Sequence, residues 1–321
     1  MTPHQISAFL GVCVGDAVGA VLEFFYKQIE KEDVELAMTM PGGGVFRVGR
    51  GQPTDDTELT ISLFRALIEN NSTASFPLKL VARNYIRWMN RSRPFDVGRT
   101  TQLAFHDVSE DQDIVACVRH NALSSSLQSE SNGALMRIIP IPIFYHLLQP
   151  SVIAKYARED ASLSHPNKVC QDCNATYSIA VSHLINYPKD SQGAISMSQR
   201  YLREQKNDKV YQWFMDALEP NFLSLSNCTK QIGHVKHAFQ LAFHCLCYEL
   251  SFEESIFQTL LKGGDTDTNA AIVGGLMGAF HGRIPDELSK PVLDFDCTKD
   301  GRIRPVTYSV RRMLSEIQNN I

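Results

Sequence analysis

Nowhere in the 321 residues do lysines and arginines gather into a block, and the 31 basic residues are outnumbered by 35 acidic ones, for a net charge of −4. That lack removes the electrostatic footprint of a nucleic-acid or anionic-membrane binder. Nor does any run of about 18 residues escape both charge and proline, the length a membrane-spanning helix needs. Even ALMRIIPIPIFYHLL is broken by Arg137, Pro140 and Pro142, so no membrane partner is expected. The opening MTPHQISAFLGVCVGDAVGA has no basic n-region, and Asp16 interrupts its apolar stretch. It reads as mature protein rather than a cleaved signal, so the expected location is cytoplasmic, with signal-less export left open. Zinc ligation is also poorly served. Cys170 and Cys173 form one CxxC pair, but no second CxxC or spaced HxxxH completes a site. The eight cysteines are irregularly spaced, and Cys13, Cys245 and Cys247 sit in apolar runs, as reduced core residues do.

What the chain does have is apolar residues, 44% of the total, enough for a substantial core. They recur at helical spacing over 6–23, 57–69, 77–89, 152–163, 176–185, 234–250 and 269–280. Strand signals are confined to VFRV (45–48) and IIPIPIF (138–144), whose prolines reduce the second to an irregular or edge segment. The expectation is an all-α protein with one domain over 1–321. Residues 186–229 turn polar, with YPKDSQG and REQKNDK flanking short helices, and read as a variable excursion from that domain.

Two stretches carry the chemistry. Thr54-Asp55-Asp56-Thr57 and Asp265-Thr266-Asp267-Thr268 each place short oxygen-bearing side chains directly before a helical run. N-capping is the plain explanation, since Asp and Thr oxygens accept hydrogen bonds from free first-turn N–H groups. One cap needs one such residue, however, and the surplus acid points to a cation. Carboxylates and hydroxyls are hard ligands suited to Mg²⁺, Mn²⁺ or Ca²⁺. If the two clusters meet, four carboxylates and two hydroxyls converge, a set that fits a pair of divalent ions and is tolerable mainly with their charge present. Gly263 and Gly264 permit a positive-φ approach, and Gly274, Gly275 and Gly278 give the second helix a face that another helix can approach closely.

The residues also resemble a family. GVCVGDAVGAVLEF (11–24), PGGGVFRVGRGQPTDDTEL (41–59), PFDVGRTTQLAF (94–105), SNGALMR (131–137), LSHPN (163–167) and the run from Ser251 to Gly282 are similar, in order, to motifs of the ADP-ribosylglycohydrolases. The resemblance implies an all-α, orthogonally packed fold with a centre of two divalent cations, Mg²⁺ or Mn²⁺. It implies Thr54, Asp55, Asp56, Asp265, Asp267 and Thr268 as metal ligands, and hydrolysis of the bond joining the distal ribose of ADP-ribose to a modified side chain. The substrate would be an ADP-ribosylated protein and the product ADP-ribose. Matched residue by residue, Asp96 and Glu23 become acid/base candidates beside Asp55. Asn132, Gly133, Ala134 and Met136 would lie along the ADP-ribose, with Gly98 and His165 in the same cleft. Asp16 matches a signature position and is expected to orient ligands or pack helices. The DVGRTT loop favours arginine as the modified residue. Serine-linked or other O-linked ADP-ribose, a related nucleotide, and a non-catalytic, crystallin-like role are the alternatives. Pro53 and the QIGHVKHAF segment depart from the family pattern without removing a predicted ligand.

Overall fold

The computed structural model describes residues 1–25, 27–110 and 113–320. Among the described residues regular structure is helical, as expected: seventeen α-helices, a π-helical turn at Trp88–Ser92, a 3-10 turn at Val306–Tyr308 and two isolated β-bridges. No helix among them is long and apolar enough to cross a membrane.

Two helices form the centre. Pro3–Gly19 starts at a capping box, in which Thr2 Oγ1 accepts from Gln5 N–H and Gln5 Oε1 accepts from Thr2 N–H, with Pro3 at the first helical position. From Ala8 onward it is buried on every side, and Thr266–His281 is buried from Thr266 to Phe280. Helices apolar all round belong in a core rather than on its surface. The two run antiparallel. A Cβ on Gly11 would stand 2.0 Å from the Gly274 carbonyl oxygen, one on Gly15 2.0 Å from Ala270 O, and one on Gly19 2.4 Å from Thr266 O. Glycine at every fourth position thus lets the backbones touch. The small face read in the second helix finds its partner in a glycine row of the first.

This antiparallel contact decides where the chemistry lies. The C-terminal end of Pro3–Gly19, bearing Asp16, meets the N-terminal end of Thr266–His281, bearing Asp267. Helix Asp55–Asn70 packs alongside and delivers its own acidic N-terminus to the same level. The core then spreads outward through Tyr85, Trp88, Tyr145, Tyr177, Phe239 and Phe243, all buried.

Three local expectations change. IIPIPIF is not extended: Pro140–Phe144 is a short helix, because Pro140 occupies a first-turn position whose N–H would be unpaired anyway. VFRV sits in a turn closed by the Gly43–Val48 bridge, with Val48 N–H donating to Gly43 O at 2.9 Å. Within 186–229 the helices are longer than the polar pattern suggests. Ser191–Gln205 buries Ala194, Ile195 and Leu202, while Asp208–Ala217 buries Val210, Trp213 and Phe214.

Candidate active site: carboxylates without counter-cations

At the end of the central pair, Asp16, Glu23, Asp55, Asp56 and Asp267 are buried and Asp96 and Asp265 half-buried. The plain capping explanation fails for both acidic starts. Thr54 and Asp265 stand at the N-cap positions of their helices, yet neither side chain makes a capping bond. Asp16 does that work for Asp55–Asn70 from another helix. Its carboxylate accepts from Thr54 N–H at 2.8 Å, Thr57 N–H at 3.0 Å, Thr54 Oγ1 at 3.0 Å and Thr57 Oγ1 at 2.6 Å. Asp265 instead accepts from Asn132 Nδ2 at 2.7 Å. Gly263 and Gly264, at φ +66° and +79°, make the sharp entry that brings it there.

Two carboxylate trios have oxygens within 4.8 Å of one another: Asp16, Asp56 and Asp267, and Glu23, Asp265 and Asp267. Asp267 belongs to both. Thr54 Oγ1 lies 3.1 Å and Thr268 Oγ1 3.5 Å from Asp56 Oδ2. Asp56 Oδ1 and Glu23 Oε2 are buried without a hydrogen-bond partner. Orphaned carboxylate oxygens at this depth are costly unless something positive meets them.

The rest of the protein handles buried acid differently. Glu58, one turn along the same helix, is held by Arg304 at 2.5 and 2.7 Å and by Trp88 Nε1 at 2.7 Å. Asp160 is held by Arg137 at 3.1 Å and by the Tyr85 hydroxyl at 2.7 Å. Asp172 takes Arg158 and Lys168. Among the described residues none of the cluster acids forms an ion pair. Burial therefore raises the carboxyls of Asp16, Glu23, Asp55, Asp56, Asp96 and Asp267, and repulsion from neighbouring carboxylates adds to it in all of these but Asp16. Asp16 is pushed up to about 6 by burial, with its hydrogen bonds from Thr57 and Thr54 opposing the rise. Asp96 rises to about 7 through burial, Asp16 and Asp265. Glu23 rises to about 9 through burial and Asp96. Asp55, Asp56 and Asp267 lie well above the ordinary range for the same reasons.

A stability prediction follows with a fixed sign. These groups bind protons more tightly folded than unfolded, so the metal-free protein loses stability as pH rises from the unfolded carboxylate range near 4 through the folded values of about 6, 7 and 9. In chelator, the melting temperature at pH 8 is expected below that at pH 5.5. Added Mg²⁺ or Mn²⁺ should narrow the gap, and a rise in stability with pH in chelator would contradict the assignment.

Above the cluster lies a cavity of about 330 Å³ whose walls include Glu23, Asp55, Asp96, Gly98, Asn132, Gly133, Met136, His165, Asp265, Asp267 and Thr268. Thr54 and Asp56 lie beneath its floor rather than on its wall, and Ala134 is buried in the protein outside the lining. His165 is fully buried. Its Nε2 is 2.9 Å from Ser131 Oγ, its Nδ1 is 2.8 Å from Ser164 Oγ, and burial, then Arg137, holds the imidazole well below its ordinary range. It is a neutral strut behind the Asn132–Gly133 turn.

Sequence reasoning missed several contributors. Arg137 Nη1 donates to Gly133 O at 3.2 Å, so the Arg137–Asp160–Tyr85 network fixes the turn from below. Gly233 O accepts from Asn132 N–H at 2.9 Å, and Val235 N–H donates to Glu130 O at 2.8 Å. The divergent QIGHV stretch therefore braces the turn from the side. Phe24 and Ile232, both exposed, form apolar lips of the cavity. Arg137 stood inside the quoted SNGALMR motif, but its partner is 23 residues away and no local spacing announces it.

Among the described residues the fold is helical, and three helix ends bring un-neutralised carboxylates to one floor under a cleft walled by a glycine turn. The family model for ADP-ribosylglycohydrolase matches residues 5–316, and the chain belongs to that family. It is 28% identical over 282 residues to the ADP-ribosyl-[dinitrogen reductase] glycohydrolase of Rhodospirillum rubrum, spanning 87% of this chain and 86% of that protein. It is 26% identical over 294 residues to the ADP-ribosylarginine hydrolase Tri1 of Pseudomonas putida, 88% of this chain and 73% of that one. The ADP-ribosylhydrolase ARH3 of Xenopus tropicalis is 24% identical over 311 residues, 86% of each. A solved ADP-ribosylglycohydrolase-related protein complex shares the fold at TM-score 0.73 and 20% identity, covering 99% of this chain and 98% of that one.

Proposed function

We propose that this protein is a divalent-metal-dependent hydrolase that releases ADP-ribose from ADP-ribosylated arginine in proteins. The observation that carries the metal is the contrast between buried acids: Glu58, Asp160 and Asp172 each have a basic partner, and the cluster at the cleft has none. Asp16, Asp56 and Asp267 are one candidate ligand set and Glu23, Asp265 and Asp267 the other, with the Thr54 and Thr268 hydroxyls and Asp55 beside them. Once bound, Mg²⁺ or Mn²⁺ supplies charge neutralisation, a grip on ribose hydroxyls and a more acidic water.

The chain's own groups do the rest. Hydrolysis breaks the bond from the anomeric carbon of the distal ribose to the guanidine nitrogen, forms a bond from that carbon to water oxygen, and returns a proton to the nitrogen. Asp96, on the cleft wall with its carboxyl raised to about 7, suits that proton transfer. Glu23 lines the same cavity. The Asn132–Gly133 turn, braced by Arg137 and Gly233, offers a rigid backbone wall for the ADP-ribose. A cleft lined by acids also suits an attached guanidinium better than an uncharged O-linked side chain, and the arginine-specific name of one relative supports the same choice.

Asp96→Asn is expected to keep the bound metal and lose activity, on the order of 10²-fold or more in kcat, the scale of a general acid or base. Metal content and kcat measured on one preparation separate the outcomes, because simultaneous loss of metal would move Asp96 into the coordination shell. The function itself is tested by presenting arginine-linked and serine-linked ADP-ribosyl proteins side by side. Preferential cleavage of the arginine linkage is expected, and cleavage of the serine linkage alone would overturn it.

A further inference from the structure

A second cavity, larger than the acidic cleft, lies elsewhere in the protein. About 820 Å³ of open space lies among helices Ile114–Ser126, Pro150–Ala161, Lys168–Asn186 and Ser191–Gln205, and it shares no wall residue with the acidic cleft. The segment Ser162–Pro166 separates the two: Ser162 and Pro166 face the large cavity and His165 the acidic one.

Its floor is apolar. Ala154 and Ile179 are buried there in a small cluster of their own, with Met197 and Tyr201 packed against it. Ala154, on the cavity wall, leaves space that a larger side chain would occupy.

Its rim is basic, although the protein is acidic overall. Arg158 is spoken for by Asp172. Arg119, Lys155 and Arg200 come from three different helices and are weakly engaged. Arg119 donates to Ser162 Oγ at 3.2 Å, Lys155 stands 3.9 Å from Glu159 with most of its side chain in solvent, and Arg200 forms no ion pair among the described residues. Among the described residues the wall carboxylates beside these three are Glu159 and Glu204, so the rim keeps a surplus positive charge over an apolar floor. Its volume lies within the range of small-molecule sites, roughly 300–1,000 Å³.

We propose that this cavity is a second ligand site, for an amphipathic organic anion whose apolar body rests on Ala154, Ile179, Met197 and Tyr201 and whose carboxylate or phosphate head meets Arg119, Lys155 and Arg200. The head group carries the specificity, because the apolar floor alone would accept any chain of suitable length. The site does not depend on the hydrolase reading, and its test measures binding alone.

Decanoate, decyl phosphate and decylamine share one apolar body and differ in head group. Titration calorimetry of the full chain with each is expected to show binding of one or both anions, with decylamine at least tenfold weaker. The relative affinity of the two anions identifies the preferred head. Lys155→Glu and Arg200→Glu change exposed side chains outside the core and should fold normally; together they are expected to weaken anion binding at least tenfold. Ile179→Trp, which fills the floor, should abolish it. Equal binding of decylamine, insensitivity to the charge reversals, or no binding of either anion would overturn the proposal. So would binding of an acidic apolar peptide with neither small anion bound, which would make the cavity a protein-docking groove.

Discussion

Asp267→Asn is expected to abolish turnover while leaving the fold intact. The residue is common to both carboxylate trios, so one substitution removes a candidate ligand from each. Asparagine is nearly isosteric and keeps an oxygen to accept the Thr268 N–H, at 2.8 Å from Asp267 Oδ1. The local backbone has no reason to move. A metal contributes several kcal/mol to stabilising charge in the transition state, so a loss of about 4 kcal/mol, on the order of 10³-fold in kcat/KM, is expected. The stability effects should have opposite signs in the two conditions. Without metal, removing one charge from a crowded acidic cluster relieves repulsion and raises or preserves the melting temperature. With metal, the variant loses the stabilisation that wild type gains by binding. Calorimetric melting of both proteins in chelator and in excess Mn²⁺ checks all four values, and an unchanged metal-induced increment in the variant would remove Asp267 from the ligand set.

Gly15→Ala should be among the most damaging single-methyl changes available to this chain. Glycine to alanine within a helix ordinarily stabilises by about 0.5–1 kcal/mol through backbone entropy. Here the added carbon would sit 2.0 Å from Ala270 O and 2.4 Å from its carbonyl carbon. Both obstacles are backbone atoms of the other central helix, so no side-chain rotation relieves the clash. Overpacking costs typically 1–3 kcal/mol where side chains can adjust, and a cost of roughly 3 kcal/mol or more is expected where they cannot. Separating the helices would also draw Asp16 away from Asp267, so metal affinity and stability should fall together. Urea unfolding of the metal-free variant measures the loss of stability; an unchanged midpoint would show that the helices do not touch as described.

How much of this was legible beforehand depended on whether the signal was local. The all-α fold was, because helical periodicity repeats within each segment, and so was the oddity of two acidic helix starts. The destination of those oxygens was not, since whether Thr54 caps its own helix depends on Asp16, a residue 38 positions earlier that reads as a lone acid in an apolar helix. The small-residue face of Gly274, Gly275 and Gly278 was legible, but its partner, the glycine row at 11, 15 and 19, was not. Arg137 and Asp160 were likewise unpaired on paper. Ser191–Gln205 was underestimated because one narrow buried stripe among polar residues is enough to seat it on its neighbours.

The proposed hydrolase needs divalent cations at its acidic cluster. Its most direct test is release of ADP-ribose from an arginine-ADP-ribosylated protein by the full chain, measured as purified, after chelation, and after return of Mg²⁺ or Mn²⁺. Release that disappears with chelator and returns with either ion is the predicted result. Undiminished release by the fully chelated protein would contradict it.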